Sequence, residues 1–147
     1  MEIMFTPYKW INPLYQKEWE IIDNNKEAIV HINSFRALKA MKGMAYEKMA
    51  AMEHRYPSKV DLIDTYGYDG KQVSHIIRLY YLRKRYLEGY SYTDCLNPYI
   101  KLLPNKDDAY VKMMEYKQQI PSLEVARQEA KEYLDKIVAL ADGYCQN

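Results

Sequence analysis

Four basic side chains in the middle of the chain have the spacing of a single helix face. They are Lys71, His75, Arg78 and Arg85. Offsets of one, two and four helical turns keep side chains on the same side of an α-helix. Asp69 just before them is a favourable N-cap, which would place the partly positive end of the helix beside the same face. An ammonium, an imidazole and two guanidiniums in this arrangement are suited to bind phosphate. The alternative is a solvated face paired with Asp61 or Asp64.

Basic residues are concentrated around this face, although the whole chain has a net charge of only +1. Residues 31–60 carry six basic and two acidic side chains, and residues 69–90 carry five and two. Tyrosine is also frequent, with 16 residues against two phenylalanines, and its ring can pack half-buried or stack on a base. These features predict a surface that binds nucleic acid, a nucleotide or a protein partner. The predicted binding residues are Tyr66, Tyr68, Asp69, Lys71, His75, Arg78 and Arg85, with a second, looser stripe at Arg36, Lys39 and Lys42.

No residue pattern typical of catalysis or metal binding accompanies the basic face. Cys95 and Cys145 are fifty residues apart, which fits neither a disulfide framework nor a zinc motif. The three histidines form no HxH or HExxH pattern. The sequence therefore predicts no catalytic residue, no metal and no cofactor, with two reduced thiols in a cytoplasmic protein. No apolar run approaches the ~20 residues of a membrane span, and the N-terminus lacks a signal-peptide pattern, so no membrane partner is expected.

The fold expected from the sequence is mostly α, in one helical domain over residues 1–147. Apolar runs at residues 2–5 and 8–11 predict a short N-terminal β-strand or hairpin within residues 1–11. Residues 12–147 predict a bundle of about five to six helices. The predicted helical segments are residues 12–23, 34–54, 60–65, 69–87, 91–94, 107–117 and 123–142. Their expected N-caps are Asn12, Asn33 or Ser34, Asp69 and Ser122, and Gly89 and Gly143 are the expected ends.

Around the basic face the sequence resembles a known enzyme superfamily. The run Tyr66-Gly-Tyr-Asp69, followed by Lys71, His75, Arg78 and Leu79, is similar to a stretch in nucleotidyltransferases of the DNA polymerase beta superfamily. The similar group is the one associated with bacterial RNA repair and found in many phages. Supporting similarities lie at Glu2–Pro7, Asn12–Leu14, Arg36–Lys39 and Ser122–Ala126. The resemblance thus extends over nearly the whole chain.

The catalytic half of that superfamily has no counterpart in this sequence. Its members carry a Gly-Ser pair at a helix start and an Asp-x-Asp or Asp-x-Glu pair that holds two divalent metals. Here no glycine is followed by serine, and the nearest carboxylate pattern is Glu18-Trp-Glu20, in a predicted helix. The resemblance therefore implies the C-terminal, helical half of such an enzyme.

Two functions fit this resemblance, besides a plain structural role for a helical protein. The first is a non-catalytic interaction module that binds a partner through the basic face. Such a module could be a phage-encoded inhibitor of a host nucleic-acid-dependent defence complex, in the cytoplasm of a bacterial or phage-infected cell. The second is the substrate- or nucleotide-binding half of a nucleotidyltransferase whose catalytic half lies outside this sequence. Because no ligand set for two metals is visible, the sequence favours the first function and predicts no nucleotidyl transfer by this chain alone.

The predicted strand at residues 2–5 also bears on self-association. If its neighbours in a sheet belong to a missing half, its open edge invites pairing with another chain. We therefore expect a homodimer, or a complex with a partner protein, formed through this strand with Trp10 and Trp19 near a twofold axis. The alternative is that residues 1–11 fold back on the chain's own helices and leave it monomeric.

Overall fold

The computed structural model describes residues 2–7, 9–96 and 106–145, and it confirms the mostly α class. Eight α-helices lie in these residues, more than the five to six predicted. They are α1 Gln16–Asn24, α2 Lys26–Ile32, α3 Ser34–Ala51, α4 Val60–Tyr66, α5 Gly70–Leu87, α6 Tyr92–Leu96, α7 Lys106–Lys117 and α8 Leu123–Cys145. Short 3-10 helices span Glu2–Phe5, Pro13–Tyr15 and Pro57–Lys59. None of the described helices is both long and apolar enough to cross a membrane.

Local capping signals fix where the long helices begin and end. The side chain of Asn33 accepts a hydrogen bond from the Arg36 amide at 3.0 Å at the start of α3. Ser122 Oγ accepts one from the Val125 amide at 3.3 Å at the start of α8. Gly89, just after α5, has a φ of 85°, a left-handed conformation that glycine adopts without a steric penalty. The structure therefore confirms the caps that the sequence predicts at these positions.

The N-terminal segment is helical, and the strand predicted there is wrong. Glu2–Phe5 forms a 3-10 helix, followed by a hydrogen bond from the Thr6 amide to the Ile3 carbonyl at 3.3 Å. No strand occurs elsewhere in the described residues, so an extended segment would find no neighbour for its backbone groups. Phe5 packs instead on Tyr92 of α6, with ring centroids 4.9 Å apart. The second predicted strand falls partly on Tyr8, which lies outside the described residues. The strand edge on which the expected dimer depends is absent from residues 2–5.

Helix α5 is the centre of the fold and packs against α3, α6, α7 and α8. Its N-terminal half contributes Val73, Ile76 and Ile77 to an apolar cluster shared with α3, α7 and α8. Its C-terminal half contributes Leu82 and Tyr86 to a second cluster with α2, α3 and α6. Because α5 is surrounded on most sides, only a narrow strip of it remains for a surface site.

Helix α1 lies outside both clusters. None of its residues is buried, and its main contacts are with α2 and the 3-10 helix Pro13–Tyr15. The ring of Trp19 is half-buried beneath Lys9, whose Nζ lies 5.0 Å from the ring centroid. The remaining large apolar side chains of α1, Ile21 and Ile22, are exposed.

Candidate functional site

The strip of α5 that stays accessible carries the predicted basic residues. His75 and Arg78 are half-buried and line one small cleft of about 30 Å³ with Lys48 of α3. Lys71, one turn before His75, is exposed, and Lys117 stands at the last residue of α7. We call these five residues from three helices the basic cluster. The sequence predicts its three α5 members, and the structure adds Lys48 and Lys117.

The charges of the basic cluster converge on the imidazole of His75. Burial lowers the pKa of His75 below its ordinary value of 6.5, and the positive charges of Lys48, Arg78, Lys71 and Lys117 lower it further. Both effects favour the neutral imidazole. An anion bound among these cations would reverse the electrostatic part of this shift and favour the imidazolium.

The lysines of the basic cluster have no carboxylate partner within the described part of the chain. Lys48, Lys71 and Lys117 form no ion pair there. Asp64, one of the two carboxylates predicted as alternative partners of the α5 face, is held instead by Arg55 through two hydrogen bonds of 2.9 and 2.7 Å. Asp64 is therefore already paired with Arg55 rather than with the α5 face, and the three lysines of the basic cluster keep positive charge without an ion pair among the described residues.

The N-terminus of α5 is not a second anion site. The Lys71 amide donates to Asp69 Oδ1 at 3.0 Å, and the Gly70 amide donates to the side chain of Gln119. Asp69 itself is 3% exposed, and its carboxylate lies 3.5 Å from Lys59 Nζ. The first amides of α5 therefore already have acceptors within the protein, although the sequence predicts that they help to bind phosphate. In the structure Asp69 acts as a buried N-cap.

Two other predicted binding residues are also inside the protein. Tyr68 is fully buried, and its hydroxyl donates to the Pro121 carbonyl at 2.5 Å. Arg85 is 4% exposed, and its guanidinium donates to the Cys95 carbonyl at 3.4 Å. It shares the helix face of the basic cluster, but α6 and α7 cover that end of the face. The structure therefore removes Tyr68 and Arg85 from the accessible surface, while Tyr66 stays half exposed.

The second basic stripe does not join the cluster. Arg36 and Lys39 are exposed on α3, and Lys42 is half-buried. Lys39 and Lys48 are nine residues apart, which places them on opposite sides of the helix at about 100° per residue. The charges with the largest effects on the pKa of His75 are those of Lys48, Arg78, Lys71 and Lys117, not those of this stripe. It forms a separate, solvated face of α3.

No three His, Cys, Asp or Glu side chains within residues 2–7, 9–96 and 106–145 form a group that could hold a metal ion. Comparisons with protein-family models, with curated proteins and with solved structures give no match to this chain. The resemblance to polymerase beta nucleotidyltransferases therefore stays a prediction that rests on the sequence motif alone.

Proposed function

We propose that this chain is a non-catalytic module that binds nucleic acid through the phosphate backbone, using the basic cluster. The observation that carries the proposal is the convergence of four cationic side chains from α3, α5 and α7 on one half-buried imidazole. Three of those cations, the lysines, lack a carboxylate partner among the described residues. Phosphates neutralise such groups and release counterions, which favours binding.

The shape of the surface favours a backbone over a single nucleotide. The cleft at His75 measures about 30 Å³, whereas small-molecule pockets enclose about 300–1,000 Å³. A cleft of that size admits a phosphate oxygen but does not enclose a base and a ribose. The cations spread over three helices can instead contact successive phosphates of one strand.

The second candidate is the nucleotide-binding half of a nucleotidyltransferase. It is favoured by the Tyr66–Asp69 motif, with Lys71, His75 and Arg78 on one helix face, and it would place the same residues against a triphosphate. It predicts that a nucleoside triphosphate binds with magnesium in the absence of any oligonucleotide. An inhibitor role in a phage-infected cell would depend on the first function, the non-catalytic binding module. The basic cluster would then compete for a nucleic acid, or cover the protein that binds that nucleic acid.

Fluorescence anisotropy with a labelled single-stranded oligonucleotide tests the proposal. If Lys48, Lys71, Arg78 and Lys117 each neutralise a phosphate, the logarithm of the binding constant should fall with the logarithm of salt at a slope of about −2.8. Between 50 and 200 mM salt this slope corresponds to about a 50-fold loss of affinity. The double variant Lys48→Gln, Lys117→Gln should reduce the slope by about half.

A matched control removes the same charge from exposed positions of α3 that lie about 120–180° around the helix from Lys48. The double variant Arg36→Gln, Lys39→Gln changes the net charge equally and should keep the wild-type slope. Equal losses in both double variants would show unspecific attraction to a basic protein and contradict the proposal. Binding of a nucleoside triphosphate but not of the oligonucleotide would instead support the second candidate.

A further inference from the structure

A narrow apolar groove between α3 and α5 continues from the cleft in the basic cluster. Met44, Leu79 and Leu82 line both the cleft and the groove. Ala37 and Ala40 of α3 extend the groove away from the cleft, and every described residue that lines it is apolar or aromatic. The volume of the groove is about 390 Å³. The cleft and the groove therefore form one continuous depression with a cationic end and an apolar end.

The groove is shaped for a single alkyl chain rather than for a helix. Leu79 and Leu82 lie deepest in it and are 7% and 2% exposed, so its floor offers little surface. Met44 and Ala40 are exposed along its α3 side. An α-helix with its side chains is about 10–12 Å wide and would rest on the rim of such a groove. A linear hydrocarbon chain, one methylene wide, reaches the floor and contacts both sides.

The groove accommodates about twelve carbon atoms, both by volume and by length. A methylene group fills about the same space as a water molecule, roughly 30 Å³, so 390 Å³ holds about thirteen of them. Along α3, Ala37 lies about 11 Å from Met44 and about 17 Å from Lys48, at about 1.5 Å per residue. C–C bonds of about 1.5 Å advance an extended chain by about 1.3 Å each, so about twelve carbons span about 14 Å. Such a chain reaches from Ala37 to the edge of the cleft.

The described residues that line this depression carry positive charge at one end only. Lys48, His75 and Arg78 line the cleft where the groove begins, and Lys48 has no ion pair within the described residues. The described residues around the other end, among them Ala37, carry no charge. An anionic head group is therefore favoured at the cleft. The head group must also be compact, because the cleft measures about 30 Å³, the volume of one water-sized group.

We propose that the groove binds a fatty carboxylate of about twelve carbons, with its alkyl chain between α3 and α5 and its carboxylate at Lys48 and Arg78. A carboxylate is a compact head group and pairs well with ammonium and guanidinium donors. This inference goes beyond the proposed function, since it requires no nucleic acid. The two ligands would share Lys48 and Arg78, so the carboxylate should compete with an oligonucleotide for the basic cluster.

The length of the alkyl chain should determine the affinity until the groove is full. Full burial of one methylene improves a dissociation constant by about fourfold. Because the groove is open along one side, about half of the free energy of burial applies, which is roughly a twofold improvement per methylene. The gain should stop at about thirteen carbons, since longer chains protrude into water.

Isothermal titration calorimetry, without nucleic acid and below the critical micelle concentration of each ligand, tests the dependence on chain length. The dissociation constant should fall by about 16-fold from octanoate to dodecanoate, and by no more than about twofold from dodecanoate to hexadecanoate. A wild type that binds none of these carboxylates would overturn the proposal. A gain that continues unchanged to hexadecanoate would also overturn it, because the chain would then be adsorbed on an open surface. Neither outcome affects the salt dependence of oligonucleotide binding, which tests the proposed function separately.

Two variants of equal size test whether the chain lies in the groove. Ala40→Leu fills the volume of about three methylenes and should weaken dodecanoate binding by about eightfold. Ala50→Leu is the matched control on α3, because Ala50 is exposed and does not line the groove, and it should bind dodecanoate as the wild type does. Circular dichroism verifies that both variants are folded. Unchanged binding by Ala40→Leu, or equal losses in both variants, would overturn the proposal.

The variant Lys48→Gln tests the position of the head group. It should weaken decanoate binding by roughly fivefold but leave the binding of decanol unchanged, because the alcohol has the same chain without the charge. If both ligands are weakened equally, or if neither is weakened, the carboxylate does not lie at Lys48 and the proposal is overturned.

Discussion

Protonation of His75 should be coupled to phosphate binding, and the structure gives the sign and the size of the effect. In the unbound protein burial and four nearby cations hold the pKa of His75 below 6.5. A phosphate in the cleft adds a negative charge beside the ring, and an opposite charge within about 4–6 Å raises the pKa of such a group by about 1–3 units. Since His75 is only half-buried, the lower end of about one unit applies. Binding of a phosphate is therefore coupled to partial protonation of the His75 imidazole.

The affinity for nucleic acid should consequently rise by up to about tenfold as the pH falls from 8 to 5, since one pKa unit is a factor of ten in the binding constant. His75→Gln removes the titrating ring and should make the affinity independent of pH in this range. His54→Gln is the matched control, because His54 is exposed, makes an edge-to-face contact with the ring of Tyr56 and is not among the residues that line the cleft at His75. It should retain the wild-type pH dependence.

Anisotropy titrations with a labelled oligothymidylate at constant ionic strength measure this effect, since neither its bases nor its phosphodiesters titrate between pH 5 and 8. If the wild type and His75→Gln show the same pH profile, the imidazole does not face the bound phosphate and the reasoning is refuted. The same group has the opposite effect on stability without ligand. The unfolded chain binds a proton at the ordinary pKa of 6.5, so His75 should reduce the free energy of unfolding as the pH falls below 6.5.

Three further predictions concern the scaffold. A Cβ at Gly70 would overlap the carbonyl oxygen of Tyr116, so Gly70→Ala should lower the free energy of unfolding by about 1–3 kcal/mol. Gly43→Ala is the control: nothing lies within 4 Å of the added methyl, and the substitution should raise the free energy of unfolding by about 0.5–1 kcal/mol. Urea denaturation measures both changes. Burial raises the pKa of Cys95 to about 11, so mass-mapped alkylation at pH 8 should leave this residue unmodified until urea unfolds the protein. Burial raises the pKa of Glu27, but hydrogen bonds from the first amides of α6 outweigh it and hold the pKa below 4.5. The resulting stability should be present above pH 4.5 and lost as the pH falls through the lower folded pKa, and Glu27→Gln should abolish this loss in urea titrations.

The long helices could be predicted from the sequence because their signals are local. Asn33, Asp69 and Ser122 are side-chain caps in the structure, at the positions where the hydrophobic periodicity predicts a helix start. The error at residues 2–5 has a physical cause, since a four-residue apolar run does not distinguish a strand from a turn of 3-10 helix. A strand depends on a neighbouring strand, and none is present in the described residues. The sequence analysis also predicts no helix between residues 23 and 34, where the structure has α2.

Only the part of the candidate site that lies on a single helix, α5, could be predicted from the sequence. The spacing of Lys71, His75 and Arg78 places them on one face, and the structure places these three around one cleft and its immediate surroundings. Lys48 and Lys117 belong to other helices, and their approach depends on packing that no local pattern encodes. The burial of individual side chains also depends on packing that the sequence does not show. Arg83 is fully buried and Arg85 nearly so, although arginine is ordinarily exposed.

The second glycine of the run Tyr-Gly-Tyr-Asp-Gly, Gly70, connects the sequence motif to the helix packing that assembles the basic cluster. Gly70 lies against the carbonyl of Tyr116, where any side chain would collide. Gln119 then fastens the end of α7 to the start of α5, because its side chain accepts from the Gly70 amide and donates to the Tyr68 carbonyl. Lys117 follows Tyr116 directly, so this close approach is what brings its charge within reach of His75. Two of the motif residues, Tyr68 and Asp69, are therefore buried where α7 meets the start of α5. The accessible basic residues are the ones that follow them on α5.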